Sequence, residues 1–384
     1  MFSRIPLLPW LSLLLHAYVA LRLAPELFSW PPLAVMLLLS LAVSAWLMPL
    51  GIGFGARLAG ASRGASGIAI WLGWAGLGMF STLLVLTFGR DVLLALAYAL
   101  RLALPGRIDM PALAHWSALV VFALGYLITL IGYGNARRTA AIVRVDVPIA
   151  GLPPELAGFS IAQISDIHVG PTIREGYLRR IVDAVNRLEA DMVAITGDLV
   201  DGSVQELAAH VAPLALLQSR HGSFFVTGNH EYYSGAHAWI AELNKLDIRV
   251  LMNEHVTLHH DNALAVVAGV ADYSAGHFDP AHTSDPQRAI AGAPPAGVRL
   301  LLAHQPRSVF AALDAGFDLQ LSGHTHGGQF LPWTYFVRLQ QPFVAGLHRL
   351  RDTWIYISRG TGYWGPPKRF GAPSEITLIR LVAA

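Results

Sequence analysis

Apolar positions along this chain keep two different rhythms. In the first third they run unbroken: Ile5–Leu21, Leu27–Ala56, Gly64–Gly89 and Met110–Ala136 contain no charged residue. A hydrocarbon core of about 30 Å needs roughly 20 helical residues, so the last three runs are long enough to cross a membrane and the first is marginal. No small-residue cleavage site follows Leu21, and three more runs come after it, so the first run reads as a retained anchor rather than a signal peptide. Asp91–Leu104 is apolar except for Asp91 and Arg101. It is too short to cross and is expected as an interfacial or re-entrant helix, with a fifth span as the lesser reading.

From Gly158 onward the rhythm changes. Short β-prone runs (Phe159–Ser165, Met192–Thr196, Phe224–Thr227, Val298–Ala303) alternate with helical stretches such as Glu175–Glu189, Val204–Leu217 and Ala236–Leu246. Thr257–His260 and Ala263–Val270 follow one another without a helix between them, and such mixed order suits two sheets layered between helices. Between the two regions, Arg137–Ala157 carries arginines and then Val-Pro-Ile-Ala-Gly-Leu-Pro-Pro, in which the prolines stop a helix from continuing. The expected organisation is a transmembrane domain over 1–136 with about four spans, a linker over 137–157, and an α/β domain over 158–384.

Charge sharpens this division. Residues 1–134 carry seven Arg, no Lys and three acids, whereas the remainder carries 20 basic and 22 acidic residues and 14 of the 16 His. The mean hydropathy of +0.48 thus averages an oily front with an ordinary back. A slightly acidic soluble part lacks the basic stripe that a nucleic-acid surface needs. No feature identifies a protein partner. There is no cysteine, so thiolate chemistry is excluded and any metal must take N and O ligands. With four spans and an inside N-terminus, Arg4, Arg57, Arg63, Arg137 and Arg138 lie inside and Arg22, Arg90, Arg101 and Arg107 outside. The Arg137-Arg138 pair after the last span tips the topology toward a cytoplasmic catalytic domain in a cell inner membrane. His16 and His115 lack an acidic partner at helical spacing and are expected to pack rather than carry protons.

Five polar blocks end the apolar runs: Asp166-Ile167-His168, Gly197-Asp198-Leu199-Val200-Asp201, Gly228-Asn229-His230-Glu231, His304 in Leu-Leu-Ala-His-Gln-Pro, and Gly323-His324-Thr325-His326. A strand ending in a polar loop is where an α/β enzyme places its chemistry. Capping of helices and turns is the plainer use of such residues, but it would not require this order. In Asp-x-His and His-x-His the two side chains return to one side of the backbone, and Gly323, Gly327 and Gly328 permit tight turns around the last pair.

Across about Leu156–Val382 the five blocks resemble the calcineurin-like metallophosphoesterases, whose pattern is DxH, GDxxD, GNH(E/D), a lone His and GHxH. The resemblance implies an α/β-β/α sandwich with two mixed sheets and a site for two divalent ions (Mn, Fe or Zn). In it Asp166, His168 and His326 hold the first ion, Asn229, His304 and His324 the second, and Asp198 bridges. Such a pair of ions shares a deprotonated water and clamps the phosphate. The family assigns His230 to the leaving group, with Asp201 orienting it. Asp201 also suits the N-cap of the helix beginning near Val204. The protein-phosphatase branch places Arg after the second Asp of GDxxD. Here that position is Gly202, which points to the smaller, more general esterases.

Glu231–Gly235, Gly327-Gly328-Gln329 and Ser358–Gly362 resemble a membrane-anchored bacterial subgroup, similar to hydrolases of UDP-2,3-diacylglucosamine. Tyr232, Tyr233, Arg359 and Arg369 are candidate substrate contacts, and buried structural pairing is the other reading of the two arginines. Phe330–Val337, directly after the histidine block, reads equally as core or as a membrane-facing lip. The expected activity is hydrolysis of a phosphodiester or pyrophosphate bond, with a lipid-linked substrate as the leading candidate. An anchored esterase for soluble nucleotides or small phosphoesters is the alternative, and a membrane sensor with a vestigial domain the second. The complete ligand set with His230 intact speaks against the last.

Overall fold

A computed structural model describes residues 7–49 and 65–384. The expected span ends at 5–6, 50–56 and 64, and Arg4, Arg57 and Arg63, lie outside the described residues. The chain divides into two compact units, one of residues 1–135 with 365–370 and one of 136–364 with 371–384.

Among the described residues the first unit contains four helices: α1 Leu7–Leu27, α2 Pro31–Pro49, α3 Ala65–Ala103 and α4 Met110–Arg137. Three described stretches, Pro31–Met48, Ile68–Ala103 and Met110–Arg137, are long and apolar enough to cross a membrane by length and composition. The marginal first helix is not among them. His16 packs as expected: its Nδ1 is 2.7 Å from the Ser12 carbonyl, its Nε2 is 3.0 Å from Ser44 Oγ, and its ring stacks on Phe80.

The separate helix expected over Asp91–Leu104 does not exist. α3 runs through it for 39 residues, roughly 58 Å at 1.5 Å per residue. The reason is tertiary. The Asp91 carboxylate accepts two bonds from Arg22 Nε (2.9 and 3.0 Å), one from Arg22 Nη2 (2.8 Å) and one from Tyr18 (2.8 Å). Arg90 donates to the Arg22 and Ala114 carbonyls and to Ser117. The charges that looked like a span end are therefore satisfied by α1 and α4, and nothing interrupts the helix.

The second unit is built on two six-stranded sheets, ordered β1-β12-β2-β3-β4-β5 and β10-β11-β9-β8-β7-β6. The first comprises β1 Ala141–Ile149, β2 Ser160–Ile164, β3 Met192–Ile195, β4 Ser223–Phe225, β5 Ile248–Val250 and β12 Glu375–Ala383. The second comprises β6 Glu254–His260, β7 Ala263–Gly269, β8 Val298–Leu302, β9 Leu319–Ser322, β10 Gly346–Leu350 and β11 Thr353–Ile357. β2 to β5 are parallel, as are β7, β8, β9 and β11, while β12 opposes β2.

The strands are continuous apolar runs because both faces are covered. Ile161, Ala194, Phe224, Leu300 and Leu302 fill the layer between the sheets. Their neighbours Ala162, Val193, Ile195 and Phe225 face the helices Glu175–Asn186, Val204–Val211 and Ala236–Lys245. Leu301 and Ala303 pack on the far side with Ala312 and Phe317. The result is the layered α/β sandwich with two mixed sheets that the sequence led one to expect.

The linker expected over 137–157 is corrected. Its centre is β1, paired in parallel with β12 from Ala141–Glu375 to Ile149–Ala383. The prolines misled because β1 is an edge strand, where a missing N–H is tolerated. Pro148 sits in it, and its carbonyl accepts from Trp354 Nε1 at 2.7 Å.

Candidate metal centre

Every motif block leaves the carboxyl end of a strand: Asp166 and His168 after β2, Asp198 after β3, Asn229 after β4, His304 after β8, and His324 and His326 after β9. Backbone bonds stitch these loops together. Asp166 N–H donates to Gly197 O (3.0 Å), His168 N–H to Asp198 O (3.1 Å) and Gly323 N–H to His304 O (2.9 Å). Two motif glycines are forced by close approach. A Cβ on Gly228 would lie 2.2 Å from Asp198 Oδ1, and one on Gly323 2.0 Å from Ser165 Oγ.

Side chains then converge in two groups, Asp166–His168–His326 and Asp198–His304–His324. Asp198 Oδ2 lies 3.1 Å from His304 Nε2, 3.9 Å from His168 Nε2 and 4.0 Å from His230 Nε2, so it stands between the groups. Burial would raise the Asp198 carboxyl, but His304 and His230 outweigh it and hold the group well below its ordinary value. The ring orientations are fixed from behind. His304 Nδ1 is 2.8 Å from the Thr196 carbonyl and His168 Nδ1 is 3.0 Å from Asp201 Oδ1, which turns both Nε2 atoms inward. Metal-binding histidines are held in this way.

The donor set fits divalent cations on two counts. His168 Nε2 faces His326 Nε2 at 3.1 Å, and His304 Nε2 faces His324 Nδ1 at 3.1 Å. Only one proton fits between each pair of nitrogens, whereas a cation accepts a lone pair from both. In addition, Asn229 Oδ1 is buried and has no hydrogen-bond partner among the described residues, an arrangement that costs free energy unless something binds it.

His230 closes one side. Its Nδ1 is 2.7 Å from the same Asp201 Oδ1 that takes His168, and its ring packs edge-on to Tyr233 and Trp364. Burial alone would depress this imidazole, but Asp198 and the hydrogen-bonded Asp201 outweigh it and raise it to about 9. The N-cap reading of Asp201 is overturned. Ser203 caps Val204–Val211, with Glu206 bonding its N–H and hydroxyl at 3.1 and 2.8 Å.

Glu231 was quoted in its block without a role. It is fully buried and accepts from the N–H groups of Gly228 (2.6 Å), Leu199 (2.8 Å) and Asp198 (3.0 Å), thereby fixing the loop that carries Asp198. A Glu three residues into a helix opened by Gly228 is a capping pattern, and that was the available signal.

Of the four candidate substrate contacts, Tyr233 is exposed and stands against His230. Tyr232 points elsewhere, with its hydroxyl 3.0 Å from His282 Nδ1. Arg359 binds the buried Glu375 at 2.8 Å, while its stem lies against Gly327 beside His326. Arg369 is fully buried in the 365–370 segment of the helical unit, and its backbone meets Gly132 and Asn135. The substrate reading of Arg369 is therefore withdrawn in favour of structural burial. Phe330 is core, but Leu331, Trp333, Tyr335 and Phe336 are exposed.

Fold and site together define a metal-dependent phosphoesterase scaffold, and comparison with known proteins agrees. The family described as calcineurin-like phosphoesterase matches residues 159–328. A Bos taurus "transmembrane protein with metallophosphoesterase domain" is 40% identical over 270 residues, covering 67% of this chain and 61% of that protein. A metallophosphoesterase of Helicobacter pylori is 39% identical over 271 residues, 67% of this chain and 70% of its own. One from Aquifex aeolicus is 33% identical over 231 residues, 59% and 87%. The chain belongs to the calcineurin-like metallophosphoesterases. It spans about three fifths of the length of the Bos taurus relative.

Proposed function

We propose that this chain is a membrane-embedded, dinuclear metal-dependent phosphohydrolase that cleaves a phosphodiester or pyrophosphate bond of a lipid-linked substrate. The observation that carries the reaction class is that Asp198 Oδ2 reaches both His304 of its own group and His168 of the other, while the Asn229 oxygen is buried without a hydrogen-bond partner among the described residues. In this reading Asp166, His168 and His326 hold one ion, Asn229, His304 and His324 the other, and Asp198 joins them. Two divalent ions would supply an ionised water near neutral pH and offset charge on the phosphoryl oxygens.

The protein's own residues do the rest. Asp201 holds His168 and His230 through one oxygen, so that one imidazole faces the ions and the other the leaving group. The Asp201 carboxylate at Nδ1 favours the charged imidazole and leaves the Nε2 side free of Asp201, as an acid that protonates a departing alkoxide requires. Detergent-solubilised protein should contain at least two ions per chain and hydrolyse bis-nitrophenyl phosphate. One ion, or none, with full activity would refute the dinuclear reading.

The lipid substrate rests on two further features. Among the described residues three helices are long and apolar enough to cross a membrane, more than one anchor requires. Leu331, Trp333, Tyr335, Phe336 and Leu339 expose an apolar lip within thirteen residues of His326. The Arg137-Arg138 pair supports a cytoplasmic face for the enzyme. Remote acyl contacts should appear in kcat/KM and vanish when the chains are cut away. Equal kcat/KM for diacylated and deacylated substrates would refute the lipid and leave an anchored esterase for soluble phosphoesters.

A further inference from the structure

His237, Asp279 and His282 belong to none of the five motif blocks, yet one donor atom from each lies within 4.8 Å of the others. His237 sits in the first turn of the helix Ala236–Lys245. Asp279 and His282 frame a short 3-10 turn in the connection from β7 to β8. His237 Nε2 is 2.8 Å from Asp279 Oδ2, and His282 Nε2 is 3.9 Å from that same oxygen.

We propose that these three side chains form an additional divalent-cation site, separate from the centre that carries the motifs. Bonds of about 2.0–2.1 Å in a tetrahedral shell place neighbouring donor atoms roughly 3.3 Å apart. The separations of 2.8 and 3.9 Å straddle that value, and the His237 side chain, 75% exposed, adjusts without repacking.

The other polar atoms of Asp279 and His282 are already committed in the way a ligand set requires. Asp279 Oδ1 accepts from Ala281 N–H at 2.9 Å, leaving Oδ2 for the cation. His282 Nδ1 is 3.0 Å from the Tyr232 hydroxyl. With Nε2 on a cation, Nδ1 keeps the proton and donates it to Tyr232. The Tyr232 hydroxyl then turns to Thr227 Oγ1, 3.4 Å away. A partner behind each ligand is the usual support of a metal-bound imidazole.

Two imidazoles and one carboxylate select Zn²⁺, Ni²⁺ or Cu²⁺ over the oxygen-seeking Mg²⁺ and Ca²⁺. Three protein ligands leave positions open, and His237 and Asp279 line an open groove of about 420 Å³ with Tyr232 and Phe278. The cation would tie the Asp279–His282 turn to the helix of His237 and so fix one wall of that groove.

The test counts metal. Full-length protein in detergent is stripped with chelator, titrated with Zn²⁺, and analysed for ions per chain as wild type, His237→Ala and Asp279→Asn. Alanine suits an exposed helical position, and Asn keeps the acceptor for Ala281, so both variants should fold. Wild type should bind one equivalent more than either variant and gain a larger Zn²⁺-induced rise in Tm. The readout is a difference between proteins, so it is indifferent to how many ions the central cluster takes. Equal Zn²⁺ per chain and equal Tm shifts in all three proteins would overturn the site and leave an ion pair beside a packed histidine.

Discussion

Replacing Asp201 by Asn tests the arrangement of the centre most sharply, because one carboxylate oxygen holds two imidazoles to which the proposed function gives different duties. Oδ1 is 3.0 Å from His168 Nδ1 and 2.7 Å from His230 Nδ1. Asparagine can present a carbonyl oxygen at the same place, so both bonds survive in geometry and lose only their charge. Hydrogen bonds to charged groups contribute about 1.5–3 kcal/mol and neutral ones about 0.5–1.5, so each bond should lose about 1–1.5 kcal/mol. At 1.4 kcal/mol per tenfold, the two losses together amount to roughly 30–150-fold. The His168 share should appear as about tenfold weaker metal binding, within the range for partners behind a ligand. The His230 share should appear as about tenfold lower kcat on an ester with a poor leaving alcohol, and as less on bis-nitrophenyl phosphate. Metal titration against a chromophoric chelator, followed by kinetics at saturating metal, separates the two. Wild-type values in both measurements would refute the reasoning, and a loss in one alone would show that Asp201 serves only that imidazole.

Asp198→Asn should abolish hydrolysis and lower metal content below that of wild type while the protein remains soluble in detergent, and an unchanged number of tightly held ions in that variant would count against bridging. His230→Ala should keep both ions yet lose about 10²–10⁴-fold in rate, less for acidic alcohols; loss of metal instead would make it a ligand. Gly228→Ala drives a Cβ to 2.2 Å from Asp198 Oδ1 and 2.6 Å from Asp198 N, so the Asp198 loop must move. It should cost about 1–3 kcal/mol of stability, read by thermal melting, together with metal binding. Gly176→Ala, with nothing within 4 Å of the new methyl in the helix Glu175–Asn186, should be neutral or stabilising by up to about 1 kcal/mol in the same melt.

The fold was legible in the sequence where both faces of a strand are buried. Ile161 and Ala162, or Leu300 and Leu301, point to opposite layers and yet are all apolar, so β2 and β8 stand out as runs. Each run ends where the polar blocks begin, which made the centre readable as well. What failed was non-local. Asp91 looked like the end of a span because its partners, Arg22 and Tyr18, lie some seventy residues earlier. β1 looked like a tether because its partner β12 lies more than 230 residues later. Arg369 and the Asp279–His282 turn that meets His237 fall in connections whose course no periodicity specifies, so their surroundings could not be foreseen.

Backbone conformation is the deepest part of what the motifs encode. Asp166, His168, Asp198, His324 and His326 all have left-handed backbones, with φ between 51° and 72°. Such conformations in residues other than glycine cost free energy and persist only where the surroundings over-determine them. Here the surroundings are the other loops. Asp166 N–H is held by Gly197 O, His168 N–H by Asp198 O, and Asp198 N–H by the buried Glu231 carboxylate. His324 N–H is held by the Asp166 carboxylate itself, at 2.9 and 3.0 Å. Four of the five strained residues are thus fixed by the residue or loop that contributes another donor. The sheets hold the loop stems, the loops hold one another, and together they set where the imidazoles point. A centre set in this way needs a glycine wherever two loops touch, which is why Gly228 and Gly323 precede Asn229 and His324.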